Sequence, residues 1–197
     1  MRKAETTKQS IISKAAVLFN EKGIAGTSIE DVLRASKVAK GCLYGHFKSK
    51  EDLSYASVDY LFELIAQRQQ DQLGKHDSPV AKLFAFVELN KNPLIPYITG
   101  GCPIINLATE TDDTNPNIKK KTRKMITQTI NLVEGIIKAG IFCGELSNRL
   151  DPKSFAISMV SSLEGANAIS RIMNSNLPMH ETIKSIKENL SRYILQK

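Results

Sequence analysis

The stretch Thr27-Ser-Ile-Glu-Asp-Val-Leu-Arg-Ala-Ser-Lys-Val-Ala-Lys-Gly-Cys-Leu-Tyr-Gly-His-Phe-Lys-Ser-Lys50 decides how this chain is read. Thr27-x-x-Glu30 has the spacing of a capping box and opens a short helix carrying Ile29, Val32 and Leu33. A turn follows at 36–38, where small Ala35 lets two helices cross closely and Val38 plugs the turn into a core. A second short helix spans about 39–46 and buries Leu43 and Phe47 at i, i+4 spacing, leaving Lys40, Cys42, Tyr44 and His46 on its other face. A two-helix unit of this size places its second helix in the DNA major groove.

Outward from this unit the chain reads as helix throughout. Thr6-x-x-Gln9 is a possible capping box for a first helix ending at Lys22-Gly23. Ser49-x-x-Asp52 opens a longer helix to about Leu73-Gly74. Pro79, Pro103, Asn115-Pro116, Asp151-Pro152 and Pro178 each stand where a helix begins, since proline at the first helical position forfeits no hydrogen bond. These helices reach about Lys91, Thr111, Phe142, Asn174 and Leu195. Nine helices and no convincing strand predict an all-α protein.

The chain has 197 residues and a net charge of +7. Residues 1–50 hold ten basic and four acidic side chains, so +6 of that charge sits in the first quarter. A basic end on a nearly neutral body suits a polyanion-binding head, most often for nucleic acid. Arg2, Lys3 and Lys8 are candidates for an arm along a DNA backbone. At 42% hydrophobic and 24% charged the chain is not disordered. No apolar run approaches the roughly 20 residues of a membrane span. The N-terminus lacks the apolar stretch of a signal peptide, and three cysteines is an odd count, so the cytoplasm is the expected location.

The residues Ala16-x-x-Leu-Phe-x-x-x-Gly23, Thr27-x-Ile29-x-Asp31-Val32 and Val38-Ala-Lys-Gly-Cys-Leu-Tyr-Gly-His-Phe-Lys-Ser-Lys-Glu-Asp-Leu53 resemble the TetR family of bacterial transcriptional regulators. Gly144-Glu145-Leu146, Leu150-Asp151-Pro152 and Glu164-Gly165-Ala166 extend the resemblance more weakly. It implies a three-helix DNA-binding head over 1–64 and a helical ligand-binding and dimerisation body over 65–197. By position, Thr27 would cap the second helix and touch a phosphate, Tyr44 and His46 would grip the backbone, and Lys50 would meet another phosphate. Lys40 and Gly41 would face the groove. Three positions depart from the family pattern. Lys37 replaces the usual turn glycine and adds a cation near DNA. Cys42 replaces a common threonine. Gly45 replaces a side chain that often reads bases, which shifts weight toward shape readout.

The family arrangement also implies a homodimer on a palindromic operator, with the last two long helices pairing across a twofold axis. Met159, Ser162, Gly165 and Ile169 on the first of these, with Ile186 and Leu190 on the second, are the interface candidates. The same apolar stripes also suit an intramolecular core. Phe62, Phe86, Tyr97, Ile104 and Met125 are candidates to line a small-molecule cavity, although each also suits plain core. Glu164 and Asn167, with Arg171, stand in an otherwise apolar helix and would meet a polar ligand, one another or an ion pair at the rim.

The segment Gly101-Cys102-Pro103-x-x-Asn106-Leu107-x-x-Glu110 is the most specific feature outside the head. With Pro103 first in its helix, Cys102 becomes the cap, where unpaired N–H groups and the positive helix end favour thiolate. The segment resembles a TetR subgroup that includes the repressor of the N-ethylmaleimide reductase, so Cys102 is a candidate electrophile sensor as well as a candidate structural cap. The sequence shows no catalytic triad, phosphate loop or metal-ligand spacing, and we expect no cofactor and no metal. A repressor released by a small molecule or electrophile is the leading expectation. An activator or ligand-independent regulator with the same head is the alternative, and an enzyme using Cys102 is remote.

Overall fold

The computed structural model describes residues 2–89 and 91–195, leaving aside the side chains of Arg2, Lys3 and Ala4. Arg2 and Lys3 of the expected basic arm therefore lie outside the described side chains. Nine helices run in order: α1 Arg2–Lys22, α2 Ile29–Ser36, α3 Lys40–His46, α4 Lys50–Leu73, α5 Pro79–Glu88, α6 Pro103–Thr111, α7 Pro116–Phe142, α8 Pro152–Ile172 and α9 Leu177–Ser191. The only β pairing among the described residues is an isolated bridge between Leu146 and Ile194.

Local chemistry accounts for most helix starts. Ser78 accepts from the Ala81 N–H ahead of Pro79, and Asp151 accepts from the Lys153 and Ser154 N–H groups ahead of Pro152. Asn115 Oδ1 accepts from Ile118 N–H at 3.0 Å ahead of Pro116. Three expectations need correction. α1 begins at Arg2, so Thr6 is helix interior and not a cap. α5 stops at Glu88, short of Lys91, and α9 stops at Ser191. There the backbone leaves the helix, and Ser147 and Leu195 N–H donate to the carbonyls of Tyr193 and Glu145.

The chain groups into two compact units, residues 1–65 with 98–123 and residues 66–97 with 124–197. The first is centred on Ile11, Ala15, Phe19, Val32, Leu43, Phe47 and Leu53. The second is centred on Leu83, Phe86, Val133, Ile137, Met159, Leu163, Met179, Ile183 and Leu190. In the second unit, Gly144 takes φ 76° as the chain leaves α7. Glu145, just beyond, accepts hydrogen bonds from Ser78 Oγ at 2.7 Å and Val80 N–H at 3.0 Å, tying the start of α5 to this turn.

Candidate nucleic-acid interface

The head is assembled on α1, whose buried Ile11, Ala15 and Phe19 form the floor under α2 and α3. α2 starts one residue later than the sequence suggested. Ser28, not Thr27, is its cap, in a reciprocal box with Asp31. Ser28 Oγ accepts from Asp31 N–H at 3.1 Å, and Asp31 Oδ2 accepts from Ser28 Oγ at 2.7 Å and Ser28 N–H at 3.1 Å. The hydrogen bond from the Ser28 hydroxyl is the main reason the Asp31 carboxyl sits below its ordinary pKa. Thr27 is instead 1% exposed, and its hydroxyl donates to the Gly23 carbonyl at 2.7 Å. It therefore supports the corner from within and offers no surface to a phosphate. Ser28-x-x-Asp31 was as legible as Thr27-x-x-Glu30. What the pattern lacked was the choice between two overlapping boxes, which burial of the Thr27 methyl and hydroxyl decides.

The turn between the helices depends on Lys37, which adopts the left-handed conformation at φ 56° and ψ 32° and donates its N–H to Leu33 O at 2.9 Å. This is the conformation a glycine takes without strain, and Lys37 holds it with its side chain exposed. α3 follows, pinned by fully buried Leu43 within it and by Phe47 immediately after it. That anchoring turns Lys40, Gly41, Cys42, Tyr44 and Gly45 outward, all exposed, with His46 half-buried. A β-carbon at Gly41 or Gly45 would meet nothing within 4 Å, so the outer face of α3 is bare backbone at both positions. Lys48 is exposed beside it, and the half-buried Lys50 reaches back to the Ala25 carbonyl, Nζ to O 3.4 Å. The outward residues of this surface carry donors and cations suited to phosphates, and no exposed carboxylate lies between Lys37 and Lys50.

The other predicted sites fare differently. In α8, Ser162 and Ile169 are exposed and Gly165 is half-buried with open space above it. Met159 and Leu190 are 2% and 1% exposed and belong to the core of the second unit, and Ile186 packs against that core. Met159 and Leu190 are thus corrected from interface to core, because their own chain already removes them from water. Ile172 of the apolar stripe is exposed too, and sequence periodicity missed Ile157 and Met173, which are exposed at three- and four-residue spacing with Ser158, Ser161, Ser162 and Ile169. Of the cavity candidates, Phe62 and Ile104 are buried in the first unit. Phe86, Tyr97, Met125, Glu164 and Asn167 lie in the second. Tyr97 is exposed with the Arg68 guanidinium 4.5 Å from its ring centre, and Asn167 is buried with no partner for its Oδ1. Cys102 occupies the cap position of α6, but its side chain makes no capping hydrogen bond.

An outward-facing α3 held on α1 by Leu43 and Phe47, behind a left-handed turn, defines a helix-turn-helix DNA-binding protein. Residues 11–56 match the model of the bacterial regulatory proteins of the tetR family, and residues 79–186 match the tetracyclin repressor-like C-terminal domain. A TetR transcriptional regulator from Chloroflexus aurantiacus J-10-fl is 32% identical over 98% of each chain, with a TM-score of 0.94. The HTH-type transcriptional repressor DhaR of Mycobacterium sp. (strain GP1) is 23% identical over 93% of this chain and 91% of its own. Reduced NemR of E. coli shares the fold at a TM-score of 0.84 and 21% identity, over 98% of this chain and 100% of its own. The chain belongs to the TetR family and is a DNA-binding transcriptional regulator. No described helix is long and apolar enough to cross a membrane.

Proposed function

We propose that this protein is a homodimeric cytoplasmic repressor that binds a palindromic DNA operator and leaves it when a small molecule is captured. The observation that carries the reading is the outer face of α3, where Lys40 and Tyr44 stand beside bare backbone at Gly41 and Gly45, flanked by Lys37 and Lys48. Lys40, Tyr44, His46 and Lys50 fix the helix on phosphates, while Gly41, Cys42 and Gly45 leave room for close approach to base edges. By function, residues 1–64 bind DNA and residues 65–197 dimerise and hold the ligand.

Dimerisation is supported by the exposed stripe of α8, where Ile157, Ile169 and Ile172 alternate with serines and Gly165 that permit close helix approach. Effector binding is supported by Asn167, a buried polar group with an unfilled acceptor, set on α8 between buried Leu163 and Ala166 before it and buried Ser170 after it. The repressing sign is supported by the curated relative DhaR, itself a repressor.

The test is selection of duplex DNA from a random pool by the wild-type protein, followed by gel shifts of Tyr44→Ala and Lys50→Ala at matched salt. A hydrogen bond to a charged group contributes about 1.5–3 kcal/mol, so each variant should weaken binding by about tenfold or more. Unchanged affinity in both removes the head assignment. Reporter output after deletion of the gene gives the sign, and a fall in output would make the protein an activator.

A further inference from the structure

The segment from Gly100 to Glu110 clasps the corner between α1 and α2, all within the first unit. Asn20, near the end of α1, is 3% exposed and donates from Nδ2 to the carbonyls of Thr99 at 2.7 Å and Gly101 at 3.0 Å. Asn106 on α6 answers it, with Nδ2 3.1 Å from each of Asn20 O, Asn20 Oδ1 and Gly100 O. One helical turn on, Glu110 Oε1 accepts from Ala25 N–H at 2.8 Å. The carbonyl of the same Ala25 receives Lys50 Nζ. Ala25 is therefore held from both sides, by α6 through its N–H and by the start of α4 through its oxygen.

Two glycines show how close this approach is. A β-carbon at Gly23 would lie 3.0 Å from Glu110 Oε1, and one at Gly100 would lie 2.7 Å from the Asn20 carbonyl oxygen. Both also have positive φ, 77° and 97°. A side chain at Gly100 would collide with the Asn20 backbone, and one at Gly23 would be strained at its positive φ and press on the Glu110 carboxylate, so the segment is built around this contact. The corner it holds runs straight into Ser28 and the start of α2.

We propose that Asn106 and Glu110 are positioning residues for operator binding, fixing the α1–α2 corner so that Lys50 and the α2–α3 pair meet DNA in register. The proposal rests on the DNA-binding reading and assigns a role to residues far in sequence from the head. Preorganisation raises the affinity of a defined geometry and leaves salt-driven, nonspecific attraction largely as it is.

The experiment compares Asn106→Ala, Glu110→Ala, Glu110→Asp and Glu110→Gln with the full-length wild type, using operator DNA selected by the wild type and an unrelated duplex of equal length. The Ala variants and Glu110→Asp, which keeps the charge but shortens the reach, should lose about tenfold in operator affinity. Their affinity for the unrelated duplex should stay within about twofold, and amide exchange at Ala25 should speed up. Glu110→Gln, whose carbonyl still accepts from Ala25 N–H, should bind as wild type does. The proposal is overturned by unchanged operator affinity in the Ala variants, by an equal loss on both duplexes, or by a Gln variant as weak as Ala. If the Ala variants do not fold, the Asp and Gln pair decides alone: equal operator binding by the two overturns it. Failure of the wild type to select any sequence would instead remove the DNA-binding reading itself.

Discussion

Lys37 sets stability against DNA affinity at a single position. Its φ of 56° is one of two positive values among described non-glycine residues, and its N–H closes α2 by donating to Leu33 O. A side chain with a β-carbon pays about 1 kcal/mol to sit there. Lys37→Gly should therefore stabilise the protein by about 1 kcal/mol, a rise in Tm of about 2–4 °C for a chain of this size. Lys37→Ala keeps the strained β-carbon and should melt with the wild type. Both variants lose an exposed cation beside α3, so both should bind operator more weakly, with the slope of log affinity against log salt reduced by about 0.9 per head. Thermal unfolding at fixed protein concentration and a salt series of binding curves measure the two effects separately. If the Gly variant melts no higher than the Ala variant, the turn carries no strain and the reasoning fails. If the salt slope is unchanged, Lys37 does not meet a phosphate.

Further outcomes follow from particular contacts. Ile169→Asp, at a half-exposed position of the α8 stripe, should shift the protein from dimer to monomer in sedimentation while leaving its helical content intact, because the desolvation cost of a charge falls only on the assembled state. A dimer of unchanged strength would place the interface elsewhere. Gly45→Ala adds a methyl into open space and should raise stability by up to about 1 kcal/mol through helix propensity, read by urea unfolding; destabilisation would mean the space is not open. The Glu88 carboxyl is held below its ordinary value, first by the hydrogen bond from Lys187. Its contribution is present above the ordinary carboxylate pKa of 4.5 and is lost as pH falls through the depressed value. Both side chains are about a third exposed, so Glu88→Gln should cost less than about 1 kcal/mol at pH 7 and nothing in acid. A deficit that persists in acid would trace to packing instead.

Much of the head was legible from local pattern. Leu43 and Phe47 at i, i+4 spacing are buried as read, and Lys40, Cys42 and Tyr44 face outward as read. Proline at the first turn placed the starts of α5, α6, α7 and α8, since that rule concerns one residue and its own backbone. The errors arose where two local solutions compete. Ser28 and Thr27 each head a capping box, and only the fit of Thr27 under the Gly23 carbonyl selects between them. Met159 and Ile157 lie two residues apart on one amphipathic helix, and periodicity does not say which side of it the chain's own core covers.

The segment from Gly101 to Glu110 draws the line most clearly. Its residues mark it as unusual chiefly through Cys102, whose side chain makes no capping bond. Its work is done by Asn106 and Glu110 on Asn20 and Ala25, some 85 residues earlier in the chain. The sequence by itself determined an all-α chain, a basic helix-turn-helix and the outward set on α3, because capping, proline placement and i, i+4 burial act within a few residues. Only the tertiary structure decided which apolar stripe stays exposed, which hydroxyl caps α2 and what α6 grips. Those outcomes depend on which surfaces meet, and hydrogen bonds between distant segments leave no periodic mark on either partner.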